Sequence, residues 1–446
     1  MMRKRIRLAR GFTLVELMVS LIAGLIIAMA AVGLAKTAST TFYEQARLMS
    51  VESTTRSAAE RLRADLGRVS YMSTGNIRLA RNDSATVPFG QKISHSVGGS
   101  TSRYGAVTAN LSGIRIRSGA SRTNAVISTA GAEGSNALST NNGLKPDAIE
   151  ITGNLTSDDS YQATWLGSGT DGACGGPHLT MKRDADAAVR RLLNATDPDK
   201  AVKAVFRPVA ANAVDYLARI VDMRGCQHYV PVCDAGGDAT SAFIDLRADA
   251  TGAAILSTVQ DGSTCGGNIG EMFTVSPVHH VRWYIGPNTD ARLATDTIVD
   301  ATDNKFNLYR EMLDANYAPL PNATPEIVAE YAIDLKFGIV VENPGPPVSL
   351  DVLDLDSDNG GGNVDTWTGA ASAATSNPQR VRSVRFRIAV RAAVPDRTAN
   401  LIVPPGAPYL SRYCLENATP ANCKKFARVR TLVSEVALTN QAGMKY

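Results

Sequence analysis

An uninterrupted apolar run near the start of the chain dominates its pattern of hydrophobic and polar positions. Residues 12–35 contain a single charged side chain, Glu16, across 24 positions. A helix of this length would extend about 36 Å, which is enough to cross the hydrocarbon core of a bilayer. We therefore predict a membrane-spanning helix over residues 12–35.

Beyond this run the apolar positions become one-sided. They recur at spacings of three and four, as on a helix with one buried face: Phe42, Ala46 and Met49, then Leu62, Leu66 and Val69. The charged residues that we assign to its other faces are Glu60, Arg61, Arg63 and Asp65. Because the first proline is Pro88, the pattern predicts one continuous helix from Phe12 to about Val69.

From about Tyr71 the pattern changes to short strands separated by polar turns. The strand segments are rich in β-branched and aromatic residues. We predict strands at residues 111–117, 148–152, 203–207, 242–246, 272–275, 278–285, 333–341, 381–394 and 426–438. The chain is thus expected to have an α+β fold, in which a long N-terminal helix packs on a large β-rich head with long loops.

One predicted strand carries a row of arginines. Apolar residues at Val384, Phe386, Ile388 and Val390 alternate with a basic row formed by Arg385, Arg387 and Arg391. This alternation predicts a half-buried strand. A DNA-binding or acidic-partner face is one interpretation of the row, but a solvated face with acidic neighbours on adjacent strands is the commoner case.

Charge is concentrated before the apolar run. Five cations and no acid precede it: Arg3, Lys4, Arg5, Arg7 and Arg10. With only Lys36 just after the run, this asymmetry predicts that the N-terminus stays inside and that the rest of the chain is exported. The net charge is +4, so without those five cations it is near −1. No overall nucleic-acid footprint is evident, and we do not expect nucleic acid as a partner.

All the cysteines lie on the exported side, where disulfides form. They are Cys174, Cys226, Cys233, Cys265, Cys414 and Cys423. Six cysteines allow 15 connectivities; the short spacings favour Cys226 with Cys233 and Cys414 with Cys423, leaving Cys174 with Cys265. A zinc site at Cys226, His228 and Cys233 is the alternative, but it lacks the paired close spacing of structural zinc sites.

A glycine-rich acidic loop is the strongest metal-binding motif. A twelve-residue loop with acids at positions 1, 3, 5 and 12 can wrap one calcium ion. The predicted ligands are Asp354, Asp356, Asp358 and Asp365, with a backbone oxygen of Gly360 as a further one. Position 6, usually glycine, is Asn359, and the flanks do not predict paired helices. A solvated acidic hairpin is the alternative.

The sequence contains no recognisable catalytic motif. The segment from Gly167 to Gly172 matches G-x-G-x-x-G, but no helix or βαβ unit follows it, so it predicts a loop. His279 and His280 are adjacent on a predicted strand and would point to opposite faces, which favours core packing over a shared metal. We therefore expect no enzymatic activity.

The segment Gly11-Phe12-Thr13-Leu14-Val15-Glu16 resembles the processing site of a type IV prepilin. The resemblance implies that prepilin peptidase cleaves after Gly11 and methylates the new amine of Phe12. It also implies that the Glu16 carboxylate pairs with that amine in a neighbouring subunit during assembly. An ordinary secretory signal with a cleavage site at Ala28-Met29-Ala30 is the alternative, although it leaves the intramembrane carboxylate unexplained.

The head resembles the PilW family of minor pilins, relatives of a minor pseudopilin of type II secretion. The segments that carry the resemblance are Pro146-Asp147-Ala148-Ile149-Glu150-Ile151, Asn307-Leu308-Tyr309-Arg310, Asp354 to Asp365, Val381-Arg382-Ser383-Val384-Arg385 and Val436-Ala437-Leu438-Thr439-Asn440. Residues 122–270, which hold four of the six cysteines, depart from the compact family pattern.

These resemblances imply three regions: a leader at 1–11, a pilin helix at 12–70 and an exported head at 71–446. The expected role is a minor pilin that helps to initiate type IV pilus assembly, at or near the tip, and displays an adhesive surface. The alternatives are a tip adhesin and a type II secretion pseudopilin. The implied partners are other minor and major pilins, prepilin peptidase, the inner-membrane assembly platform and a tip adhesin. The protein would move from the inner membrane, with its head in the periplasm, to the extracellular pilus.

Overall fold

The computed structural model divides into two compact units, Met1–Ser53 and Thr54–Tyr446. The residues that it describes are 13–77, 111–118, 144, 146–168, 174–184, 186–206, 216–247, 267–287, 306–315, 317–320, 323–343, 345–355, 364–368, 377–395, 410–415 and 425–442. The predicted α+β fold, a long N-terminal helix and a β-rich head, is confirmed.

The described residues form five α-helices, a short 3-10 helix and fifteen strands. The helices are α1 (Leu14–Gly67), α2 (Ala187–Leu193), α3 (Pro198–Phe206), α4 (Val364–Thr368) and α5 (Thr439–Ala442), with the 3-10 helix at Pro378–Arg380. The strands are β1 (Ile114–Arg117), β2 (Ala148–Gly153), β3 (Tyr161–Ser168), β4 (Gly175–Lys182), β5 (Tyr216–Val221), β6 (Gln227–Gly237), β7 (Ser241–Arg247), β8 (Met272–Pro287), β9 (Phe306–Leu313), β10 (Glu326–Glu330), β11 (Ala332–Asn343), β12 (Ser349–Leu353), β13 (Val381–Arg391), β14 (Arg412–Cys414) and β15 (Phe426–Ala437).

Helix α1 is continuous, as the absence of proline predicted. It runs over Leu14–Gly67, and its apolar N-terminal part is long enough to cross a membrane by length and composition. The unit that ends at Ser53 consists of this part of the helix. Its apolar side chains are exposed, including Leu14, Ile22 and Phe42.

The final turns of α1 belong to the second unit and have a buried face. That face comprises Thr55, Ala58, Ala59, Leu62, Asp65 and Leu66. The assignment of Asp65 to an outer face is wrong, because Asp65 follows Leu62 by three positions and precedes Val69 by four. This spacing places its carboxylate on the apolar stripe.

Strands β3 to β7, which lie within residues 122–270, form a closed barrel with the first half of β8. Strand β8 pairs with β3, and the ring continues through β4, β7, β6 and β5 back to β8, with all pairs antiparallel. Closure gives each of these strands a neighbour on both sides. A barrel of this size has an interior that side chains can fill.

Apolar side chains do fill this interior, and they join the short helices α2 and α3 in one core. The cluster includes Trp165, Phe273, Val202 and Phe206, and the rings of Tyr161 and Phe206 meet edge to face with centroids 5.3 Å apart. The strand predicted at residues 203–207 is wrong, since α3 covers most of it. Pro198 at the first helical position and the Asp197 carboxylate, which accepts from Lys200 N at 3.1 Å, start a helix there.

Strand β8 links the barrel to a second antiparallel array. The strands predicted at 272–275 and 278–285 are one strand of 16 residues. Its first half closes the barrel, and its second half pairs with β2 on one side and β9 on the other. With β1 beside β2 and β10 beside β9, the order of this array is β1-β2-β8-β9-β10.

A separate sheet has the order β12-β11-β13-β15-β14. Val384, Phe386 and Ile388 are fully buried, which confirms the predicted alternation of β13. The expectation of a half-buried strand is wrong, because the basic row is largely buried too. Arg387 Nε lies 2.7 Å from Asp334 Oδ2, and the Arg391 guanidinium lies 4.8 Å from the centroid of the Tyr331 ring.

The disulfide pattern differs from the one favoured by spacing. Cys174 is bonded to Cys233, with Cα atoms 5.6 Å apart across 59 residues. The pairs Cys226–Cys233 and Cys174–Cys265 are therefore wrong. Strands β4 and β6 both pair with β7, so the start of β4 lies near Cys233. This tertiary contact overrides the short spacing that favoured Cys226–Cys233.

The other cysteine predictions are only partly testable. Cys226 and Cys414 are disulfide-bonded, while Cys265 and Cys423 lie outside the described residues. The pair Cys414–Cys423 stays a prediction. The zinc alternative is wrong for a physical reason: Cys226 and Cys233 are oxidised and supply no thiolate, and His228 Nε2 lies 3.2 Å from a carboxylate oxygen of Asp222.

His279 and His280 are buried, as predicted, and find partners on opposite sides of β8. His279 Nε2 lies 3.0 Å from the Val205 carbonyl oxygen, and His280 Nδ1 lies 2.8 Å from Thr152 Oγ1. Burial, which penalises the charged ring, lowers the pKa of His279 to about 4. Burial and the neighbouring His279 lower the pKa of His280 to about 3.

The protein should therefore lose stability in mild acid. In the unfolded chain both histidines bind a proton near pH 6.5, whereas in the folded chain they stay neutral until their lowered pKa values. The free energy of unfolding should fall as the pH drops below 6.5, by up to about 1.4 kcal/mol per pH unit for each histidine. Urea unfolding of the purified chain at pH 7, 6 and 5, followed by tryptophan fluorescence, measures this slope.

The variant His280→Gln keeps a polar side chain near Thr152 but removes one titrating group. Its unfolding free energy should depend less steeply on pH than that of the unaltered chain. Equal slopes for the two chains would contradict the assignment of acid sensitivity to His280.

Candidate functional site: the N-terminal motif and the buried end of its helix

Thr13 and Glu16 form a reciprocal cap at the start of α1. The Glu16 carboxylate accepts from Thr13 N at 3.0 Å and from Thr13 Oγ1 at 3.0 Å. In return Glu16 N donates to Thr13 Oγ1 at 3.2 Å. This is a capping box, in which a threonine and a glutamate three residues later satisfy unpaired donors of the first helical turn. Glu16 was predicted to act in assembly, whereas its contact with Thr13 was not predicted.

The cap holds the carboxylate in the first turn of the helix, where the helix dipole favours a negative charge. A carboxylate in this position can also receive an ammonium group that approaches the start of the helix. Gly11 and Phe12, the two residues of the expected cleavage junction, lie outside the described residues.

The other end of α1 is held by a buried carboxylate. Asp65 Oδ2 accepts from Trp283 Nε1 on β8 at 2.8 Å and from Arg310 Nε on β9 at 2.8 Å. Arg310 also lies 3.8 Å from Glu326 on β10, which in turn pairs with Arg61 of α1 at 3.0 Å. Arg61 and Asp65 are one helical turn apart. The helix is therefore tied to β9 and β10 through alternating charges and to β8 through the Trp283 N–H.

The chain just after α1 is also fixed. Ser70 N donates to the Thr152 carbonyl at 2.8 Å, and the Asn440 side chain from α5 donates to the Gly67 carbonyl at 3.0 Å. Gly153 allows a close approach, because a Cβ there would lie 2.3 Å from the Arg68 carbonyl oxygen. The C-terminal segment thus satisfies one of the carbonyls that the end of a helix leaves free.

A second buried ionic cluster lies on the array that holds α1. Glu150 is fully buried on β2, with Arg282 Nη2 2.8 Å from its Oε1 and the Arg115 and Arg117 guanidiniums each 3.5 Å from its carboxylate. Burial alone would raise the pKa of Glu150, but these cations hold it below its usual value. The carboxylate is therefore ionised and fixes β1, β2 and β8 together.

A third buried pair joins the two arrays of strands. Asp147, just before β2, accepts from Lys336 Nζ at 3.0 Å and from Phe337 N at 3.0 Å. Its own backbone N donates to the Leu335 carbonyl at 2.7 Å. Two of the segments that carry the PilW resemblance therefore supply buried charges at contacts between elements: Asp147 and Glu150 from one, and Arg310 from the other.

The predicted calcium loop is described only at its first ligand. Asp354 Oδ1 lies 3.2 Å from Arg385 Nη1, and Glu435 lies 3.5 Å from the same guanidinium. The acidic neighbours expected beside Arg385 are thus present. Asp356, Asp358 and Gly360 lie outside the described residues, as does the side chain of Asp365. A calcium ion bound by this loop would compete with Arg385 for the carboxylate of Asp354.

A hydrogen-bonded chain on the outside of the barrel was not anticipated. His178 Nδ1 lies 2.6 Å from Asp245 Oδ1, and its Nε2 lies 3.2 Å from Thr180 Oγ1. The His178 ring also stacks on Phe243 with centroids 5.6 Å apart. These contacts occupy both ring nitrogens and tie β4 to β7.

The comparisons with known proteins match only the start of the chain. The family model described as the prokaryotic N-terminal methylation motif matches residues 6–32. No curated protein and no solved structure matches the chain. This motif supports a type IV pilin-like or pseudopilin protein with a prepilin-type N-terminus. This motif and the apolar helix suit membrane anchoring before assembly.

The contacts of Asp65 generate a prediction about stability. Asp65→Leu should lower the free energy of unfolding by about 3 kcal/mol, because Trp283 Nε1 and Arg310 lose a buried acceptor. This loss of unfolding free energy is at the low end of the range for a broken buried ion pair, because Arg310 would still have the Glu326 carboxylate at 3.8 Å. Chemical denaturation of the full chain in detergent measures it.

Arg63→Ala provides the matched control on the same helix. Arg63 is exposed and lies 3.6 Å from Glu60, so its loss should change the free energy of unfolding by no more than about 0.5 kcal/mol. Equal effects of the two substitutions would show that Asp65 does not hold the helix.

Proposed function

We propose that this chain is a minor pilin that helps to initiate assembly of a type IV pilus and sits at or near its tip. The observation that carries the proposal is the methylation motif at residues 6–32 on a helix that continues into a structured head. Cleavage after Gly11 would expose the amine of Phe12 one helical turn from Glu16. That amine and the Glu16 carboxylate of a neighbouring subunit would then set how the helices pack in the fibre.

The shape of the head supports display of a surface at the tip. The barrel is built from segments between β2 and β9 and has a filled interior. It therefore adds outer surface to the head. Several apolar side chains remain exposed near one end of the barrel: Leu166, Met223, Ile269 and Met272. These features favour an adhesive role for the head in addition to initiation.

The assembly role is tested at Glu16 with two substitutions. Glu16→Ala should be cleaved and methylated normally but be absent from sheared pili, because the charge that pairs with the neighbouring amine is gone. Glu16→Gln should fail in the same way, although glutamine can still accept from Thr13 in a capping box. Mass spectrometry of the mature N-terminus and immunoblots of sheared pili are the two measurements.

The two substitutions separate the charge from the cap. Incorporation of Glu16→Gln at the level of the unaltered chain would show that capping, rather than charge pairing, is what assembly needs. Gly11→Val serves as the processing control and should accumulate as membrane-bound precursor. A mature N-terminus at Ala31 would overturn the pilin proposal in favour of an ordinary secretory signal.

Bacterial strains that carry these substitutions, or that lack the chain, also distinguish the proposed role from a pseudopilin and from a tip adhesin. Loss of type II secretion with normal pili would identify a pseudopilin. Normal piliation with loss of attachment in a strain that lacks the chain would identify a tip adhesin whose role in assembly is secondary. Loss of pili supports the proposed initiation role.

We also propose that the loop from Asp354 to Asp365 binds one calcium ion. An ion that binds only the folded head stabilises it, so millimolar calcium should raise the melting temperature. Arg385→Met should enlarge this rise, because it frees Asp354, which Arg385 now contacts at 3.2 Å. Differential scanning calorimetry in calcium, magnesium and chelator measures the effect, and magnesium should substitute poorly.

The double substitution Asp356→Ala with Asp358→Ala should abolish the rise and leave the melting temperature in chelator unchanged. If the unaltered chain melts at the same temperature in calcium and in chelator, the loop is an acidic hairpin and binds no calcium.

A further inference from the structure

Strand β12 forms an open edge of its sheet. It pairs with β11 over Ser349–Leu353 and has no partner on its other side among the described strands. The outward N–H and C=O groups of an edge strand can form a ladder with another chain. Proteins often protect such an edge with buried charges or a covering loop, but each residue of β12 is at least partly exposed.

Three apolar side chains form a stripe along this edge. Val348, Leu350 and Val352 alternate along the strand and so lie on one face. They are 64%, 61% and 54% exposed. Glu342 lies opposite Leu350 on β11, but Arg382 neutralises it at a distance of 2.6 Å. The stripe is therefore apolar and has no unpaired charge beside it on β11.

The sequence of this edge is complementary to itself. In an antiparallel pair of two copies centred on Leu350, Leu350 lies opposite Leu350 and Val348 lies opposite Val352. Ser349 then lies opposite Asp351, so each carboxylate meets a hydroxyl donor. Centring the pair on Asp351 would oppose two carboxylates, which is unfavourable. Centring it on Ser349 would place Pro347, which has no N–H, opposite Asp351 inside the ladder, whereas in the register centred on Leu350 it lies at the end, opposite Leu353.

We propose that β12 pairs antiparallel with β12 of a second copy of this chain, in the register centred on Leu350. The pair joins the two sheets edge to edge and places six apolar side chains in one continuous stripe. A twofold contact of this kind closes on itself. Pairing β12 with the open C-terminal part of β15 in the next copy would instead propagate without end. The inference does not depend on the proposed function.

Cysteine cross-linking tests the register directly. In the proposed pair the two Leu350 residues face each other with Cα atoms about 4.5–5.5 Å apart, within disulfide range. Leu350→Cys chains, purified in detergent and oxidised, should form a disulfide-linked dimer on a non-reducing gel. The described native cysteines are themselves disulfide-bonded, and circular dichroism checks that the fold is unchanged.

Val352→Cys is the matched control, since it lies on the same strand and face with similar exposure. Two Val352 residues would be about 13 Å apart in this register. Val352→Cys alone should therefore give roughly ten times less dimer than Leu350→Cys, because disulfides need Cα separations below about 7 Å. Val348 lies opposite Val352 in this register, so a mixture of Val348→Cys and Val352→Cys chains should form a disulfide between the two variants. If the two chains differ in length, this mixed dimer can be recognised on a gel.

Val433→Cys, 55% exposed on β15 of the same sheet, controls for random collision. The proposal is overturned if Leu350→Cys stays monomeric. It is equally overturned if Val352→Cys or Val433→Cys dimerises as efficiently as Leu350→Cys, since the contact would then lack the proposed register.

Discussion

A buried carboxylate on the last turns of α1 constrains how the helix meets the head. Asp65 is shielded from water, and its carboxylate accepts hydrogen bonds from both Trp283 and Arg310 at 2.8 Å. A shift of the helix by one residue would bury the carboxylate without these partners, which is costly. The contact therefore selects one register of the helix on β8 and β9.

Buried ion pairs also lie at other contacts between elements. Glu150 with Arg282, Asp147 with Lys336 and Asp334 with Arg387 are buried pairs that join neighbouring strands or arrays. Such pairs add little net stability over well-packed apolar residues. Their value here is specificity, since each pairs correctly in one arrangement of the strands.

Sequence patterns predicted the periodic parts of this structure and failed where long-range contacts decide. The helix and the alternation around Phe386 follow from local spacing, and the structure has both. Asp65 was wrongly assigned to an outer face of the helix, because the assignment relied on its charge and not on its three-residue spacing from Leu62. The Cys174–Cys233 bond depends on the strand order β4-β7-β6, which strand propensities do not encode. The Thr13–Glu16 cap could have been predicted, because a threonine followed three residues later by a glutamate is the pattern of a capping box. The resemblance to a prepilin processing site identified only the role of the Glu16 carboxylate in assembly.

The barrel and the separate sheet differ in whether their described strands leave an unpaired edge. Closure from β3 through β8 gives each described barrel strand a neighbour on both sides, so these strands do not offer an unpaired edge to another chain. Among its described strands, the separate sheet keeps an open edge at β12, where Asp351 is the one charged residue of the strand. An edge that is short, preceded by prolines and self-complementary in one register suits a limited contact between two copies.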